Sequence, residues 1–480
     1  MKAATLMIQG TASSVGKSLL VTALCRIFQQ DGLRVAPFKS QNMALNSAVT
    51  PDGGEIGRAQ AVQAEAARIP AEVKMNPILL KPESDRGAQV IVLGRPYGTM
   101  DSEVYSTKRE ELLGIIRESL EDLRSRFDLI VIEGAGSPAE VNLMDRDIAN
   151  MKVAAIAEAP VLLAGDIDRG GVFASLVGTL ELLGDDRDRV AGFLINKFRG
   201  NRKLLAPGLD FLEKKTQRPV FGVIPFLPDL RLSSEDSLEV PGEQGEGPLI
   251  AIVRYPYLSN FDEFRFLPDY GFRVIFAERP EDLAKAALVV LPGSKNVRHD
   301  LNWLETQGFA SEIRRLAMAG TPVMGICGGY EMLGDRIDDP LGVEGPPEKV
   351  EGLGLLSLVT QFSFTKTTRQ VMVEAGSWLP ELQGVSLRGY EIHHGKAIAT
   401  GEPAFTVEGI RDGLRKGKIV GTFVHGLFEN PRFCEAMAQR LGARSGKVFD
   451  PYDRLADEVR AHLDMIALYR LLGLPVNALD

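Results

Sequence analysis

The sequence contains few of the residues that build disulfide frameworks, metal centres or membrane spans. Only three cysteines occur in 480 residues, and Cys25, Cys327 and Cys434 lie far apart, without the paired spacing of a zinc site. This scarcity argues against a disulfide framework and indicates a reducing compartment. No apolar run approaches the roughly 18 residues that a membrane span needs, and a glycine-rich loop begins too early for a signal peptide. We therefore expect a cytoplasmic protein that does not bind membranes.

Positive charge is also scarce. The chain has 55 lysines and arginines against 64 acidic residues, which gives a formal net charge of -9. This balance lacks the general electrostatic footprint of a nucleic-acid-binding protein, so any anionic ligand must be met by local positive charge. At 480 residues the chain is also too long for a single core, and we expect two or three domains.

Glycine is concentrated near the N-terminus in a loop of the phosphate-binding type. A short apolar strand leads into this loop, and an apolar helical pattern follows it. Five residues separate its two glycines, whereas the standard phosphate loop has four, but the physically important groups are present. Backbone N–H groups can surround phosphate oxygens, Lys17 can reach the terminal phosphates, and Ser18 can bind Mg²⁺. The alternative is a merely flexible loop. We predict nucleotide binding by Gly10, Thr11, Val15, Gly16, Lys17 and Ser18.

Apolar runs alternate with helical stretches through the first half of the chain. The runs cover residues 33–38, 129–132, 161–164, 191–195 and 220–224. Strands that are apolar throughout and separated by helices predict a parallel sheet covered on both faces. Ligands of such α/β sheets bind at the carboxyl ends of the strands.

Polar residues follow four of these runs. They are Lys39 to Asn42, Glu133 to Ser137, Asp166 to Gly171, and Asn196 with Lys197. Any one cluster is explained by capping and turn chemistry, but four at the same topological position favour a site. Glu133 is the natural carboxylate for holding Mg²⁺, and Asp166 and Asp168 could share that task. Lys81 lies between two prolines, either on an ordinary edge strand or on a rigid arm that reaches an anionic substrate.

A polar, acidic, glycine-rich stretch at residues 231–248 predicts a linker. We therefore divide the chain into a phosphate-loop domain over residues 1–230, a second doubly wound α/β domain over 249–445, and a C-terminal helical segment over 446–480. Apolar runs at 249–253, 274–276, 288–291 and 323–326 repeat the alternating pattern in the second domain.

Cys327 lies among glycines, between a short apolar strand and an apolar segment that could open a helix. This pattern is typical of a nucleophile elbow, although a strand-to-helix turn around a small buried cysteine would have the same sequence. The N–H of Gly328 could stabilise an oxyanion. A second N–H could come from Gly293 or Ser294, in the glycine turn that ends the neighbouring strand.

A cysteine nucleophile needs a base, and only five histidines are available. His425 follows an apolar strand at a glycine turn, where active-site bases commonly lie, so we predict that it is the base. His393 is the alternative, because it alternates onto the same strand face as Glu391. We expect His299 and His462 at the surface.

These motifs together resemble the cobyric acid synthase family, and the resemblance covers nearly the whole chain. It implies a dethiobiotin synthetase-like domain of the P-loop NTPase type, followed by a class I glutamine amidotransferase domain of flavodoxin-like fold. It also implies ATP- and glutamine-dependent amidation of the b, d, e and g carboxylates of adenosylcobyrinic acid a,c-diamide, a corrinoid, with Mg²⁺. The sequence leaves open whether the chain forms a homo-oligomer.

The resemblance also implies roles for single residues. Ser18 and Glu133 would contact Mg²⁺, with Glu55 as a third candidate, and Asn196 would contact the adenine. For the substrate, the motifs suggest Lys39, Gln41, Asn42 and Lys81.

Two positions depart from the pattern of class I amidotransferases. Such enzymes usually have a glutamate two residues after the catalytic histidine, but Leu427 lies there, so the residue that orients His425 is not identified. Glu331 replaces a common glutamine, which puts the usual contact of that glutamine with the substrate in doubt.

Two other functions compete with this interpretation. One is a related amidation, by a cobyrinic acid a,c-diamide synthase or by the similar enzyme that acts on a cell-wall lipid precursor. The other is a non-catalytic MinD-like ATPase regulator. A regulator of the MinD type would need a second lysine early in the phosphate loop and a basic amphipathic tail, and the sequence has neither.

Overall fold

The computed structural model describes residues 2–44, 46–82, 88–227, 242–444 and 450–475. The chain divides into two compact units, one formed by Met1–Ser237 together with Phe449–Asp480 and the other by Leu238–Val448. Most of the predicted linker lies outside the described residues, and only its last part, 242–248, can be placed. The C-terminal segment, which we expected as a separate element, belongs to the first unit.

The first unit contains twelve described strands before the chain enters the second unit. They are β1 (Ala4–Gly10), β2 (Val35–Phe38), β3 (Gln41–Met43), β4 (Ser47–Val49), β5 (Glu55–Gly57), β6 (Ile78–Pro82), β7 (Ala88–Val92), β8 (Arg95–Met100), β9 (Leu129–Glu133), β10 (Val161–Asp166), β11 (Val190–Phe198) and β12 (Val220–Pro225). The helices of this part are α1 (Lys17–Gln30), α2 (Arg58–Ala66), α3 (Ser102–Thr107), α4 (Arg109–Arg126), α5 (Met151–Ala157), α6 (Val172–Leu182) and α7 (Arg202–Thr216).

The main sheet of the first unit is parallel, with strand order β12-β11-β10-β1-β9-β2. Its central strands are buried along their whole length, which explains why they are apolar throughout. The register places Ile8 of β1 beside Glu133 of β9, so the phosphate loop and Glu133 leave the sheet at the same edge. The predicted parallel sheet is confirmed.

A smaller mixed sheet, with order β3-β6-β7-β8, was not predicted. Its strands are short and pair mostly with neighbours along the chain. Successive side chains on β6 point to opposite faces, so Leu80 and Lys81 face different surroundings. This sheet follows the carboxyl end of β2, and its strands contain Gln41, Asn42 and Lys81, which we expected to contact the substrate.

The second unit contains fourteen described strands and four α-helices. The strands are β13 (Leu249–Val253), β14 (Leu258–Ser259), β15 (Arg273–Ala277), β16 (Leu288–Leu291), β17 (Gly293–Ser294), β18 (Val323–Ile326), β19 (Arg336–Asp339), β20 (Glu348–Glu351), β21 (Leu358–Ala375), β22 (Ser386–Ala399), β23 (Phe405–Val407), β24 (Ile410–Asp412), β25 (Leu414–Lys416) and β26 (Ile419–Thr422). The helices are α8 (Val297–Thr306), α9 (Phe309–Met318), α10 (Gly328–Leu333) and α11 (Pro431–Leu441).

The central sheet of the second unit has the order β15-β13-β16-β18-β26-β25 and is parallel except at β25. A second sheet, β20-β19-β21-β23-β24 with β22 paired to β21, is largely antiparallel. The parallel order puts the carboxyl ends of β13, β16, β18 and β26 at one edge. The predicted elbow strand β18 lies between β16 and β26, as its pattern suggested.

Two further helices, α12 (Pro451–Arg460) and α13 (Met465–Leu471), pack against α1 of the first unit. Arg26 of α1 is 1% exposed, and its guanidinium is paired with Asp450 and Asp453. Arg460 donates to Asp31 at the end of α1 at 2.7 Å. Helices α12 and α13 thus stabilise α1, the helix that begins at the phosphate loop.

This pairing predicts a measurable cost of removing the acids. In the double variant Asp450→Ala, Asp453→Ala, Arg26 keeps a buried charge without its acidic partners, because its side chain cannot reach water. We expect the free energy of unfolding to fall by about 2–4 kcal/mol, a value reduced for the partial exposure of both acids. Urea denaturation followed by circular dichroism measures it. Glu181→Ala, which removes the exposed ion pair of Glu181 with Arg187, is the control and should change it by less than about 1 kcal/mol. Equal losses in the two variants would contradict the prediction.

Candidate functional site

Cys327 lies at a sharp turn between β18 and α10. Its backbone has φ 53° and ψ -111°, a conformation that residues with a Cβ rarely adopt. Its N–H donates to the carbonyl of Thr422 at 2.8 Å, which fixes the turn to β26. Strain of this kind is typical of nucleophile elbows, where the turn presents the side chain at the edge of the sheet. The backbone therefore favours the elbow over an ordinary buried cysteine.

His425 and Glu263 extend the elbow into a chain of three side chains. The imidazole of His425 is close enough to the Cys327 side chain for the two groups to interact, while the thiol donates to the carbonyl of Ile392 at 3.7 Å. Nδ1 of His425 lies 2.9 Å from Oε1 of Glu263, whose other oxygen accepts the N–H of Gly426 at 3.1 Å. His425 and Glu263 are each 1% exposed. The carboxylate thus fixes both the ring and the turn that carries it.

Electrostatics favour a charged imidazole at this position. Burial alone would lower the pKa of His425, but the neighbouring Cys327 and Glu263 outweigh burial and raise the pKa to about 10. Burial raises the pKa of Glu263, and the hydrogen bond with His425 opposes that shift. We infer an imidazolium held between two acidic groups.

Glu263 was missed in the sequence because it lies 162 positions before its partner. It belongs to a short 3-10 turn, Phe261–Phe264, that follows the carboxyl end of β13. The rule that identified the other polar clusters, namely polar residues beyond a buried parallel strand, also applies here. Asn260 lies in the same turn, with its Nδ2 at 3.5 Å from Nε2 of His425.

The predicted oxyanion donors lie together beside the elbow. A Cβ added at Gly328 would lie 3.0 Å from the backbone nitrogen of Ser294, so a side chain here would push the two segments apart. Gly293 is adjacent to the ring of His425. Ser294 is fixed by a hydrogen bond from its Oγ to Asp300 at 2.6 Å. The contact of these N–H groups with an oxyanion stays a prediction.

The other histidines occupy different surroundings. His393 stacks on Phe423, and burial lowers its pKa to about 4, so it is neutral at physiological pH. Glu391, the suggested partner of His393, is paired instead with Arg369. His299 is half-exposed and His462 lies near the surface, as expected.

Glu331 is buried immediately behind the elbow. Burial raises the pKa of Glu331 well above its usual range, and its Oε1 has no hydrogen-bond partner among the described residues. A neutral carboxylic acid carries one donor and one acceptor oxygen, as the side chain of glutamine carries a donor and an acceptor. The replacement of the common glutamine by Glu331 therefore changes the hydrogen-bonding groups less than the formal charge of a glutamate suggests.

The phosphate loop closes around its own lysine. Lys17 Nζ donates to the carbonyls of Ala12 and Gly136 at 3.2 and 3.1 Å. Gly16 has φ 98°, and a Cβ there would lie 2.2 Å from Nδ2 of Asn196, so this position requires glycine. Asn196 donates to the carbonyl of Val15 at 2.7 Å and thus supports the loop. Its predicted contact with adenine stays a prediction, as do those of Gly10 and Thr11 with phosphate.

Glu133 is the centre of the polar cluster behind this loop. Its carboxylate accepts Ser18 Oγ at 2.8 Å, Lys39 Nζ at 3.0 Å and Nε2 of Gln63. Gln63 had no motif that identified it. The hydroxyl and the carboxylate are the oxygen donors that Mg²⁺ prefers, so this pair fits the implied ion, with phosphate and water as further ligands.

Asp166 and Asp168, like Glu133, each lie in an ion pair with a basic residue, and their share in binding Mg²⁺ stays a prediction. Asp166 pairs with Lys197 at 2.9 Å and Asp168 with Arg199 at 3.0 Å, and Glu133 pairs with Lys39. No group of three or more His, Cys, Asp or Glu side chains suited to a metal occurs in the part of the chain that the structure describes.

Two predicted substrate or metal residues neutralise each other. Lys81 points away from Leu80, as strand alternation requires, and its ammonium pairs with the carboxylate of Glu55 in the interior. The prediction that Lys81 lies on an arm directed at the substrate is therefore wrong. In this conformation the ammonium also occupies Glu55, the weaker metal candidate.

The remaining substrate candidates divide between two faces of β3. Gln41 lines a cavity and accepts the hydroxyl of Tyr105 at 2.6 Å. Asn42 is buried on the opposite face, where its Nδ2 donates to Gln60 at 2.9 Å. Of the two, Gln41 is placed to meet a ligand.

None of the helices in the described ranges combines the length and apolarity required to cross a membrane.

Comparison with known families divides the chain in the same way. Residues 6–240 match the family described as CobQ/CobB/MinD/ParA nucleotide binding domain, and residues 249–433 match the CobB/CobQ-like glutamine amidotransferase domain. The expected order of a phosphate-loop domain and an amidotransferase domain is confirmed.

Full-length relatives share this organisation. The chain is 50% identical to the cobyric acid synthase of Sorangium cellulosum (strain So ce56) over 99% of both chains. It is 48% identical to that of Moorella thermoacetica (strain ATCC 39073 / JCM 9320) and 47% identical to that of Dehalococcoides mccartyi (strain CBDB1), in each case over 98% of both chains.

Proposed function

The chain belongs to the cobyric acid synthase family, and we propose that it converts the b, d, e and g carboxylates of adenosylcobyrinic acid a,c-diamide into amides. Glutamine supplies the ammonia and ATP the activation. The observation that carries this proposal is the linked side chains of Cys327, His425 and Glu263 on the same chain as a phosphate loop. A carboxylate does not react with ammonia until it is activated, so the two sites serve one reaction. The cytoplasm stays its predicted location.

The elbow releases ammonia from glutamine in two steps. The thiolate of Cys327 attacks the side-chain amide carbon, and the oxyanion that forms is stabilised by N–H groups at Gly328 and at Gly293 or Ser294. The imidazolium of His425 gives its proton to the leaving nitrogen, so ammonia departs and a thioester remains. His425 then takes a proton from water, which attacks the thioester and releases glutamate and the thiolate.

Glu263 acts through His425 as a positioning residue. It fixes the ring through Nδ1, which leaves the other nitrogen to exchange the proton with substrate. It takes the place of the glutamate that other class I enzymes have two residues after the histidine. The buried negative charge also stabilises the imidazolium that the first step requires.

The first unit activates the substrate. A carboxylate oxygen attacks the terminal phosphorus of ATP, and the bond to the bridging oxygen breaks, which gives an acyl phosphate and ADP. Ammonia attacks the acyl carbon, phosphate leaves, and a proton is released with the amide. Lys17 stabilises the charge on the transferred phosphoryl group. Ser18 and Glu133 would hold Mg²⁺, which offsets charge on the phosphates.

A MinD-like regulator is not favoured. It would not need a strained cysteine joined to a buried His–Glu pair, and its proposed signature residues are missing from the sequence. A substrate panel distinguishes the related amidations, since only cobyric acid synthesis starts from the a,c-diamide.

Cys327→Ala separates the two chemistries. We expect glutamine-dependent amidation to be lost, because the variant has no nucleophile, while amidation with ammonium chloride continues at a rate within about twofold of the wild type. Product is measured by chromatography of the corrinoids. Loss of both activities in a folded protein, or loss of neither, would contradict this division.

Lys17→Ala should have the converse effect. Amide formation falls by about 10²–10³-fold, because the phosphoryl group loses its cation, whereas glutamine hydrolysis in the second unit is kept. Hydrolysis is followed by glutamate release. Retention of ATP-dependent amidation would refute the assignment of the phosphate loop.

Glu263→Gln tests the positioning residue by its pH profile. We expect kcat/KM for glutamine hydrolysis to fall by about 10²-fold or more. Because Glu263 helps to raise the pKa of His425 to about 10, the imidazolium of the variant loses its proton at lower pH. The alkaline limb of the profile therefore moves to lower pH.

Asp262→Asn is the matched control on the same turn, and it should keep both the rate and the profile. Ammonia-dependent amidation should be unchanged in both variants. An unshifted alkaline limb in Glu263→Gln would indicate a structural role only.

A further inference from the structure

A cavity of about 680 Å³ opens in the first unit beside the phosphate loop. Its lining includes Gly136, whose carbonyl accepts a hydrogen bond from Lys17 at 3.1 Å. A ligand in the cavity would therefore present one group to the phosphate site and keep its remaining surface within the walls. The volume lies within the range of about 300–1,000 Å³ that is usual for small-molecule sites.

The walls of this cavity are mainly apolar and partly open to water. The small sheet contributes Met43, Leu80, Val90 and Met100. The segment after β9 contributes Leu143 and Met144 on another side. Met43 is 59% exposed and Leu143 is 52% exposed. Single exposed apolar residues are ordinary, but several that converge in one concavity indicate a surface that a ligand covers.

Two guanidinium groups also line the cavity. Arg146 is exposed and forms no ion pair with any residue that the structure describes. Arg109 pairs through Nη1 with Glu110 at 2.7 Å, and its Nε has no hydrogen-bond partner among the described residues.

Three acids among the described residues line the cavity. Asp101 accepts the backbone N–H of Val104, Asp147 accepts those of several residues after it, and Glu140 is exposed to water. The guanidinium of Arg146 thus remains available to a carboxylate of a ligand.

We propose that this cavity binds the corrin ring of the substrate, an inference that rests on the proposed function. The ring is a broad, largely apolar macrocycle with carboxylate arms along its edge. The apolar walls cover the ring, Arg146 binds an arm that is not reacting, and the arm at Gly136 meets the phosphate site.

The walls also suit a substrate that must react at four places. Each arm can reach Gly136 only after the ring has been bound in a new orientation. A rigid surface that is complementary to one orientation would therefore serve only one of the four amidations. Met43, Met100 and Met144 all line the cavity. Methionine is unbranched and adapts its shape to irregular surfaces, so these three side chains can repack around each orientation.

The apolar wall is tested with Leu143→Asp, matched by Leu204→Asp. Leu204 is 83% exposed on α7 and does not line the cavity. Binding of cobyrinic acid a,c-diamide is measured by equilibrium dialysis, from the visible absorption of the corrinoid, without ATP or glutamine. We expect Leu143→Asp to weaken binding about tenfold or more, because a charge replaces an apolar contact, and Leu204→Asp to leave it unchanged.

Kinetics give an independent measurement of the same effect. Leu143→Asp should raise KM for the corrinoid and leave glutamine hydrolysis and KM for ATP unchanged, which also shows that the variant is folded. Equal affinity of the corrinoid for both aspartate variants and the wild type would overturn the proposal.

The guanidinium is tested with Arg146→Ala against Arg202→Ala, a change at an exposed arginine at the start of α7. The substrate carries four more carboxylates than the fully amidated product. Arg146→Ala should therefore weaken binding of the a,c-diamide more than binding of cobyric acid. Equal weakening of both, or none, would exclude carboxylate recognition by Arg146.

These measurements separate the proposal from the proposed function. If the wild type amidates the corrinoid but Leu143→Asp binds it normally, the cavity is wrong and the activity stands. If the wild type amidates no corrinoid, the activity is wrong whatever the binding shows.

Discussion

A carboxylate that is removed from water must be surrounded by donors, and this constraint shapes both chemical sites. Glu263 is buried and meets His425 and the N–H of Gly426. Glu133 is buried and meets Ser18 and Lys39. Desolvation makes an unpaired charge expensive, so each carboxylate also fixes the side chains that neutralise it. The same cost that would destabilise an isolated acid thus positions the proposed catalytic histidine in one unit and the proposed metal-binding hydroxyl in the other.

The parallel sheets and most of their polar edges could be predicted because their signals are local. A buried strand such as β9 is apolar over consecutive residues, and the residue that ends it, Glu133, lies at the edge where ligands bind. The elbow at Cys327 has glycine neighbours that permit its backbone conformation, so its geometry could be predicted from one short segment. The five-residue spacing of the phosphate loop did not prevent the expected strand–loop–helix arrangement.

The remaining features depend on contacts between distant residues. Glu263 meets His425 across 162 positions, and Arg26 meets Asp450 across 424, and no periodicity connects such pairs. For Lys81 the sequence allowed an edge strand or a rigid arm toward substrate, whereas β6 lies between β3 and β7 and strand alternation turns Lys81 toward Glu55. The cavity is likewise built from short strands and a loop whose individual sequences carry no common pattern. Among its residues, only Gln41 and the stretch from Ala135 to Ser137 belonged to clusters that we had identified.

The position of α12 and α13 has a consequence for synthesis of the chain on the ribosome. The first unit is begun at the N-terminus, yet the acids that meet Arg26 are added only after the whole amidotransferase unit has been made. Domains generally fold in order of their emergence, at about 5–20 residues per second of translation. Here the nucleotide-binding unit is completed last, although it is begun first. A nascent chain that stops early thus leaves α1 without its final support, and a finished synthetase forms only on chains that also carry their own source of ammonia.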